Sequence, residues 1–468
     1  MHFTPFSHPI GLIDVDDLLA LRDVPEGWYV EYKESVSSPK AIAKSLGSFA
    51  NTYGGWIMYG VAEARLATEC LGFAGTFPGF SEADVPNALA KIANAARLLN
   101  PVPFYETQVV TGTSVGSDSG SLLQGQVVLV VRVPEGVNAP YIHPDGRVYR
   151  RVADQSDPTA ETNRAVFDAL HARSKSARKR LSKIIRARPE LSAQESGNPY
   201  LQLHFFSDRY ADPSSISKLE FADFCEIAKA ERFGDQLYAI SFDSFFASAT
   251  GYVARQLMGN PAYSAVLTVT HDLNGTTSAL VPMRTIASVQ HDQFTRLIQV
   301  CQHLSSVRVS VDLNRMLDLN HLFAVVVAIF HKHVQFCNRG DVRRPVFAKA
   351  ELFSVWRMTP FLDTDAYAQF VAENGPAVIQ YRDVIAPAGV SPESLRELAT
   401  PLEVADDSSA IDINAFRLVV DILNALGIPR TGFIPDGDES DEGDESLLAA
   451  LTDIFSAVQR ATAASRSA

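Results

Sequence analysis

Trp28-Tyr-Val-Glu-Tyr-Lys33, then Ser37-Ser-Pro39, then Asn51-Thr-Tyr-Gly-Gly55-Trp56-Ile-Met-Tyr-Gly-Val61, is the stretch that decides the fold of the N-terminal part. Its first segment alternates aromatic or β-branched residues with polar ones, the period of a strand. Ser37-Ser-Pro39 supplies an N-cap and a proline for a first helical turn. Ile42, Leu46, Phe49 and Ala50 follow at helical spacing and form one apolar stripe, with Lys40 and Lys44 off it. Asn51 to Gly55 ends the helix, and Trp56 to Val61 reads as a second strand. Working outward, a helix is expected from about Ser81 to Leu98, and strands over Tyr105–Thr111 and Gln126–Val133, joined by the Gly/Ser-rich loop Gly112–Ser121. Val127 to Val131 is apolar at both parities, as in a strand covered on both faces. A last strand is expected over Arg147–Val152. The fold class is α/β (α+β), with a mixed sheet over residues 1–160.

Five elements occur in order: Glu31-Tyr-Lys33-Glu-Ser35, Ser48-Phe-Ala-Asn-Thr52, Gly54-Gly55, Tyr59-Gly-Val61 and Tyr149-Arg150-Arg151. Together they resemble the Schlafen AlbA-type (divergent AlbA) domain, over about residues 20–160. Relatives occur in bacterial regulators and in the core of Schlafen nucleases. The resemblance implies nucleic-acid binding and, in the nuclease branch, metal-dependent RNA cleavage by three carboxylates. Two of those fall on Glu26 and Glu31. The third is an aspartate in the nuclease branch, where this sequence has Ala62-Glu63. Glu26, Glu31 and Glu63 are thus the candidate catalytic and metal-binding set, with Mg²⁺ or Mn²⁺ as the cofactor if the protein is catalytic. Hard divalent cations take carboxylate oxygens, and phosphodiester cleavage uses the metal to generate hydroxide. Lys33 lies two residues from Glu31, on the same face of a strand, and could steady a phosphate. An exposed Glu–Lys pair on an edge strand is the alternative. Gly54-Gly55 reads either as a phosphate-approaching turn or as a bare helix-to-strand turn. No G-x-x-x-x-G-K-[ST] occurs, so no P-loop for ATP is present.

Arg164 to Arg188 carries nine Lys/Arg against Asp168, a net of +8. Val166, Leu170, Ala177, Leu181 and Ile185 recur at helical intervals, so residues 161–190 are expected to form a basic amphipathic helix. Its Arg173, Lys175, Arg178, Lys179, Arg180 and Lys183 are candidate phosphate contacts, extended by Arg147, Arg150 and Arg151 and by Lys40 and Lys44. A solvated linker helix is the bland alternative.

The chain has 468 residues, 46% of them hydrophobic, enough for more than one core. The formal charge is −13, which alone argues against a nucleic-acid coat protein. That charge is uneven: residues 1–188 sum to +1 and the remaining 280 to −14. Four scattered cysteines exclude a disulfide scaffold or a CxxC zinc motif and suit a reducing cytosol. No signal peptide and no membrane-length apolar run is seen, the longest being Leu322–Phe330, so a cytoplasmic protein with no membrane partner is expected. Residues 195–430 read as a second α/β domain of unrecognised fold. They show a hairpin at Asn274-Gly275 and helices near Ser217–Glu231, His291–Leu304 and Leu319–Phe336. His331 and His333 sit about 200° apart on a helix and cannot share a metal. Residues 434–446 form an acidic segment expected to be solvated, and residues 447–468 a terminal helix.

The function expected is nucleic-acid binding of Schlafen AlbA type, extending to a metal-dependent endoribonuclease acting on structured RNA. The alternative is a non-catalytic DNA-binding transcriptional regulator with a C-terminal sensing or assembly domain. A protein-interaction scaffold is a third reading. Homo-oligomerisation and the choice between RNA and DNA are left open.

Overall fold

The computed structural model describes residues 3–8, 10–66, 69–113, 122–152, 157–191, 196–210, 217–230, 240–256, 267–288, 294–306, 312, 315–342, 344–404, 408–433, 452–458 and 460. The acidic run 436–445 and most of the 112–121 loop lie outside these residues. The chain divides into two compact units, Met1–Arg178 and Lys179–Ala468. Both mix helices and sheets, in keeping with the α/β class.

The first unit is built on β1 (Val30–Lys33), α1 (Pro39–Asn51) and β2 (Gly54–Tyr59). Ser38 caps α1, its side chain accepting from Ala41 N, and Pro39 opens the first turn. β1 and β2 run parallel, as a strand–helix–strand connection requires. A hairpin of β3 (Ala62–Leu66) and β4 (Glu69–Thr76), then β5 (Phe80–Ser81), α2 (Val85–Arg97), β6 (Glu106–Thr111) and β7 (Gln126–Pro134) complete the main chain path. β7 is central: it pairs antiparallel with β2 on one edge and carries β5 and β6. Leu129, Val131 and Val133 of β7 pack with α1 and α2, whereas Val128 and Val130 pack with Leu18, Leu21 and Phe77 on the other face. Two covered faces account for an apolar run without alternation. Burying each such side chain is worth about 1.5–3 kcal/mol.

The Gly54-Gly55 pair has a packing explanation. Gly54 has φ +74°, and a Cβ on Gly55 would lie 2.3 Å from the Phe49 ring. The turn needs glycine for its own geometry, without any ligand.

The expected strand over Arg147–Val152 is shorter: β8 (Tyr149–Arg150) pairs with β9 (Thr159–Ala160). Arg151 leaves the ladder, its N–H donating instead to Thr52 Oγ1 at 3.0 Å. α3 (Arg164–Ile185) is the basic helix. Its Leu170 joins the first unit's core, and its Leu181 and Ile185 pack on Phe206, Phe347 and Leu395 of the second unit.

In the second unit, the large sheet comprises β10 (Tyr200–Phe206), β11 (Ser244–Ala247), β12 (Gly251–Gln256), β13 (Leu267–Asp272), β14 (Thr277–Pro282), β17 (Val346–Phe353), β19 (Val384–Ala386) and β20 (Arg396–Leu398). β13 and β14 form the hairpin expected at Asn274-Gly275, with Gly275 at φ +78°. A small sheet joins β15 (Thr285–Ile286), β16 (Met316–Asp318) and β18 (Thr359–Phe361). The helices are α4 (Phe221–Lys229), α5 (Leu297–Ser306), α6 (Leu319–Arg339), α7 (Asp365–Asn374), α8 (Pro401–Val404) and α9 (Ser408–Ala425). α6 is buried on nearly every side, against the sheet and against α9, which explains its run of nine apolar residues. Residues 452–458 are helical within the expected terminal helix. Among the described residues, no helix is long and apolar enough to cross a membrane.

Candidate nucleic-acid interface and glutamate cluster

The first unit brings the three candidate glutamates into one electrostatic neighbourhood. Burial pushes the Glu26 carboxyl up to about 7, and the nearby Glu63 and Glu31 charges push in the same direction. Glu26 accepts from the Tyr32 backbone N–H, and Lys33 also counters the rise. Glu31 is only 2% exposed, and its two oxygens are both engaged. Oε1 accepts from Ser45 Oγ at 3.0 Å and lies 3.2 Å from Lys33 Nζ. Oε2 accepts from Arg151 Nη1 at 3.0 Å. Lys33 thus does meet Glu31 from the same strand face, as their spacing predicts.

Arg151 is the residue that changes the picture. It was expected on the surface as a phosphate contact, but it is 0% exposed. Its Nε donates to Gly27 O at 2.9 Å and its Nη2 to Val30 O at 3.3 Å, and its guanidinium lies 4.7 Å from the Phe49 ring centroid. A buried carboxylate needs a compensating cation, and here Arg151 and Lys33 provide it. Among the described residues, no three His, Cys, Asp or Glu side chains are grouped to hold a metal ion. Glu26, Glu31 and Glu63 therefore do not form the expected metal set as they are arranged. The donor oxygens of Glu31 already face two cations, and Oε1 of Glu26 accepts from the Tyr32 backbone N–H.

The cations expected at phosphate divide by local geometry. Lys40 is exposed at the start of α1, and its carbonyl accepts from His143 Nε2 at 3.2 Å. Lys44, one turn on, places its Nζ 4.9 Å from the Tyr149 ring centroid. Arg147 is exposed in the turn between His143 and Tyr149. Asn51 holds this hairpin along α1, donating to Tyr141 O and Tyr149 O and accepting from Tyr141 N. Lys40, Lys44 and Arg147, about a hundred residues apart in sequence, so come together on one side of the unit. Arg150 is instead engaged by Glu161 at 2.9 Å, on the opposite face of β8 from Tyr149.

On α3 the apolar side and the cationic side separate as the spacing predicts. Within the first unit, Lys175 and Arg178 are exposed, whereas Arg173 is half-buried. Arg173 pairs with Glu135 at 2.9 Å and donates to Ala50 O and Gly136 O. Within the second unit, Lys179 and Lys183 are exposed and Arg180 is partly buried.

No periodicity signals the burial of Arg151, because β8 ends at Arg150. What sequence reasoning missed outright is the pairing partner across more than a hundred residues. It also missed a surface group of aromatic rings. Phe3 stacks on Tyr29 with centroids 5.0 Å apart, Tyr29 lies 6.3 Å from Tyr53, and Tyr53 lies 5.6 Å from Trp28.

In the second unit, His331 pairs with Asp412 at 2.8 Å, while His333 faces Thr277 Oγ1 at 2.8 Å. The two histidines diverge into different surroundings. Asp363 accepts from the backbone of Thr295 and Arg296, and Asp365 pairs with the Arg296 side chain.

Residues 26–160 match the family model of the Schlafen, AlbA_2 domain. No curated protein matches the sequence significantly. A solved structure, the DIP2311 protein from Corynebacterium diphtheriae, aligns at 10% identity over 68% of this chain and 87% of that one, with a TM-score of 0.21. A likeness at that score carries no argument. The motif order, the parallel β1–α1–β2 unit and the family match agree, and residues 26–160 are a Schlafen AlbA_2 domain.

Proposed function

We propose that this protein binds nucleic acid through the backbone phosphates, as a non-catalytic Schlafen AlbA_2 protein. The observation that carries this reading is the convergence of Lys40, Lys44 and Arg147 on one side of the AlbA_2 domain, beside the Tyr149 ring. The exposed Lys175 and Arg178 of α3 add cations to the same unit. Such a patch binds without sequence preference and releases counterions, so affinity falls steeply with salt. The net charge of −13 is compatible with this, because phosphate contact is local. It favours salt-sensitive binding over tight coating.

Divalent-metal-dependent RNA cleavage is the second reading, favoured by the crowding of Glu26, Glu31 and Glu63. With Arg151 on Glu31, the residues present do not fit a metal in this arrangement, and no metal-dependent step is assigned to them.

The test measures binding of single- and double-stranded RNA and DNA across a salt series, with Mg²⁺, Mn²⁺ or EDTA. The Lys40→Glu, Lys44→Glu, Arg147→Glu variant should bind more weakly, with a slope against log salt reduced by about 0.7–0.9 per lost contact. Binding that is absent at low salt, or unchanged in that variant, would sink the proposal. Cleavage that needs metal and disappears with Glu31→Gln would establish the nuclease instead.

A further inference from the structure

Tyr53 is 51% exposed and Phe3 41%, and with Trp28 and Tyr29 they form one contiguous group of rings at the surface. Large aromatic side chains usually bury themselves, and a connected exposed set marks a binding surface. These rings are held in place. Trp56 Nε1 donates to Phe3 O at 3.3 Å, which ties the N-terminal segment to β2. Tyr53 stands in the turn fixed by Gly54 at φ +74° and by the close contact of Gly55 with Phe49.

Their position relative to charge identifies the occupant. Tyr53 lies two residues past the end of α1, of which Lys40 and Lys44 are the second and sixth residues. The 13 residues of α1 span about 20 Å at ~1.5 Å per residue. That is roughly six stacked nucleotides at ~3.4 Å each. At the Tyr53 end, Arg173 donates to Ala50 O, three residues before Tyr53, and so brings α3 alongside. Arg173 is itself paired with Glu135 at 2.9 Å, so the cations that a strand running from the rings would reach along α1 are Lys40 and Lys44. A nucleic acid offers bases to the rings and phosphates to the lysines. In a duplex the base faces are already stacked on one another. Only unpaired bases can lie on Tyr53 and its neighbours.

Resting on the proposed phosphate-binding function, we propose that Phe3, Trp28, Tyr29 and Tyr53 are a base-stacking platform. Single-stranded nucleic acid is therefore the ligand class of this domain. Stacking is tolerant of sequence, because every base has a π face.

The experiment uses the full chain with a fluorescent single-stranded oligonucleotide of about twelve nucleotides and the same sequence as a duplex. The single strand should bind more tightly and quench tryptophan emission, a signal lost in Trp28→Phe. Tyr53→Ala should weaken single-strand binding about five- to tenfold with duplex binding unchanged, and Tyr53→Phe should restore it. Circular dichroism guards against loss of fold. If Lys40→Glu, Lys44→Glu, Arg147→Glu abolishes binding and Tyr53→Ala does not weaken it, the platform is overturned while phosphate binding stands. Equal binding of duplex and single strand overturns it too. Loss of self-association in Tyr53→Ala, with nucleic-acid binding intact, would reassign the rings to a protein contact. Absence of binding to any nucleic acid would overturn the underlying function itself.

Discussion

Replacing Arg151 with methionine is the perturbation that separates a structural Glu31 from a metal-binding one. The change removes the guanidinium from Glu31 Oε2 (3.0 Å), from Gly27 O (2.9 Å) and from the face of Phe49. Removing one partner of a buried ion pair costs about 3–5 kcal/mol, because the other charge stays buried. The orphaned Gly27 carbonyl adds about 1 kcal/mol, but contributions in one network do not sum. Since Lys33 and Ser45 still contact Glu31, a net loss of about 4 kcal/mol is expected. With a urea slope of about 2 kcal/mol per molar, the unfolding midpoint of the first unit should fall by roughly 2 M. The chain has three tryptophans, and Trp28 and Trp56 belong to that unit, so emission in a Trp356→Phe background reports on it alone. Adding Glu31→Met to Arg151→Met should recover at least half of the loss, since an apolar pair removes the stranded charge. A midpoint shift below about 0.5 M, or no recovery in the double variant, would refute the assignment. A wild-type midpoint that rises with Mn²⁺ or Mg²⁺, and does so only while Glu31 is present, would place a metal there.

Two further outcomes test the second unit. Burial holds His204 and His321 down to about 4, His271 to about 3 and His333 well below its ordinary value. Because the folded pKa values lie below the unfolded one, the folded protein binds fewer protons. The contribution is complete above pH ~6.5 and is lost as pH falls from there toward 3–4. Proton uptake on unfolding should therefore approach four at pH 5 from these four histidines, and an uptake below one would contradict their burial. Lys332 Nζ donates to Ile227 O, Ala228 O and Ala230 O at 3.0 Å each, satisfying carbonyls at the end of α4. Lys332→Met should destabilise the unit by about 1–3 kcal/mol and speed amide exchange in residues 221–230, and unchanged exchange would dismiss the capping role.

Much of the AlbA_2 domain was legible because its signals are local. The strand period of Trp28–Lys33, the Ser38-Pro39 cap and the glycine pair at 54 and 55 each act within one turn or strand. The central β7 was legible for a related reason: a strand covered on both faces carries an apolar run without alternation. Boundaries were looser where tertiary contacts compete, as at Arg151, whose N–H turns to Thr52 and shortens the last strand. The hairpin of β13 and β14 shows the same locality in the second unit, where the Asn-Gly turn chemistry suffices.

By itself the sequence determined the class of fold, the family of its first domain and the cationic side of α3, since all three are written in spacing along the chain. Only the tertiary structure decided what each charge does. Arg150 and Arg151 are adjacent and chemically identical, yet one pairs with Glu161 near the surface and the other is buried against Glu31. Lys40, Lys44 and Arg147 become neighbours, and Tyr29 meets Phe3 and Tyr53, through contacts that close loops of tens to a hundred residues. The effect of a charge or a ring depends on distance and burial, and both are set by packing between segments remote in sequence.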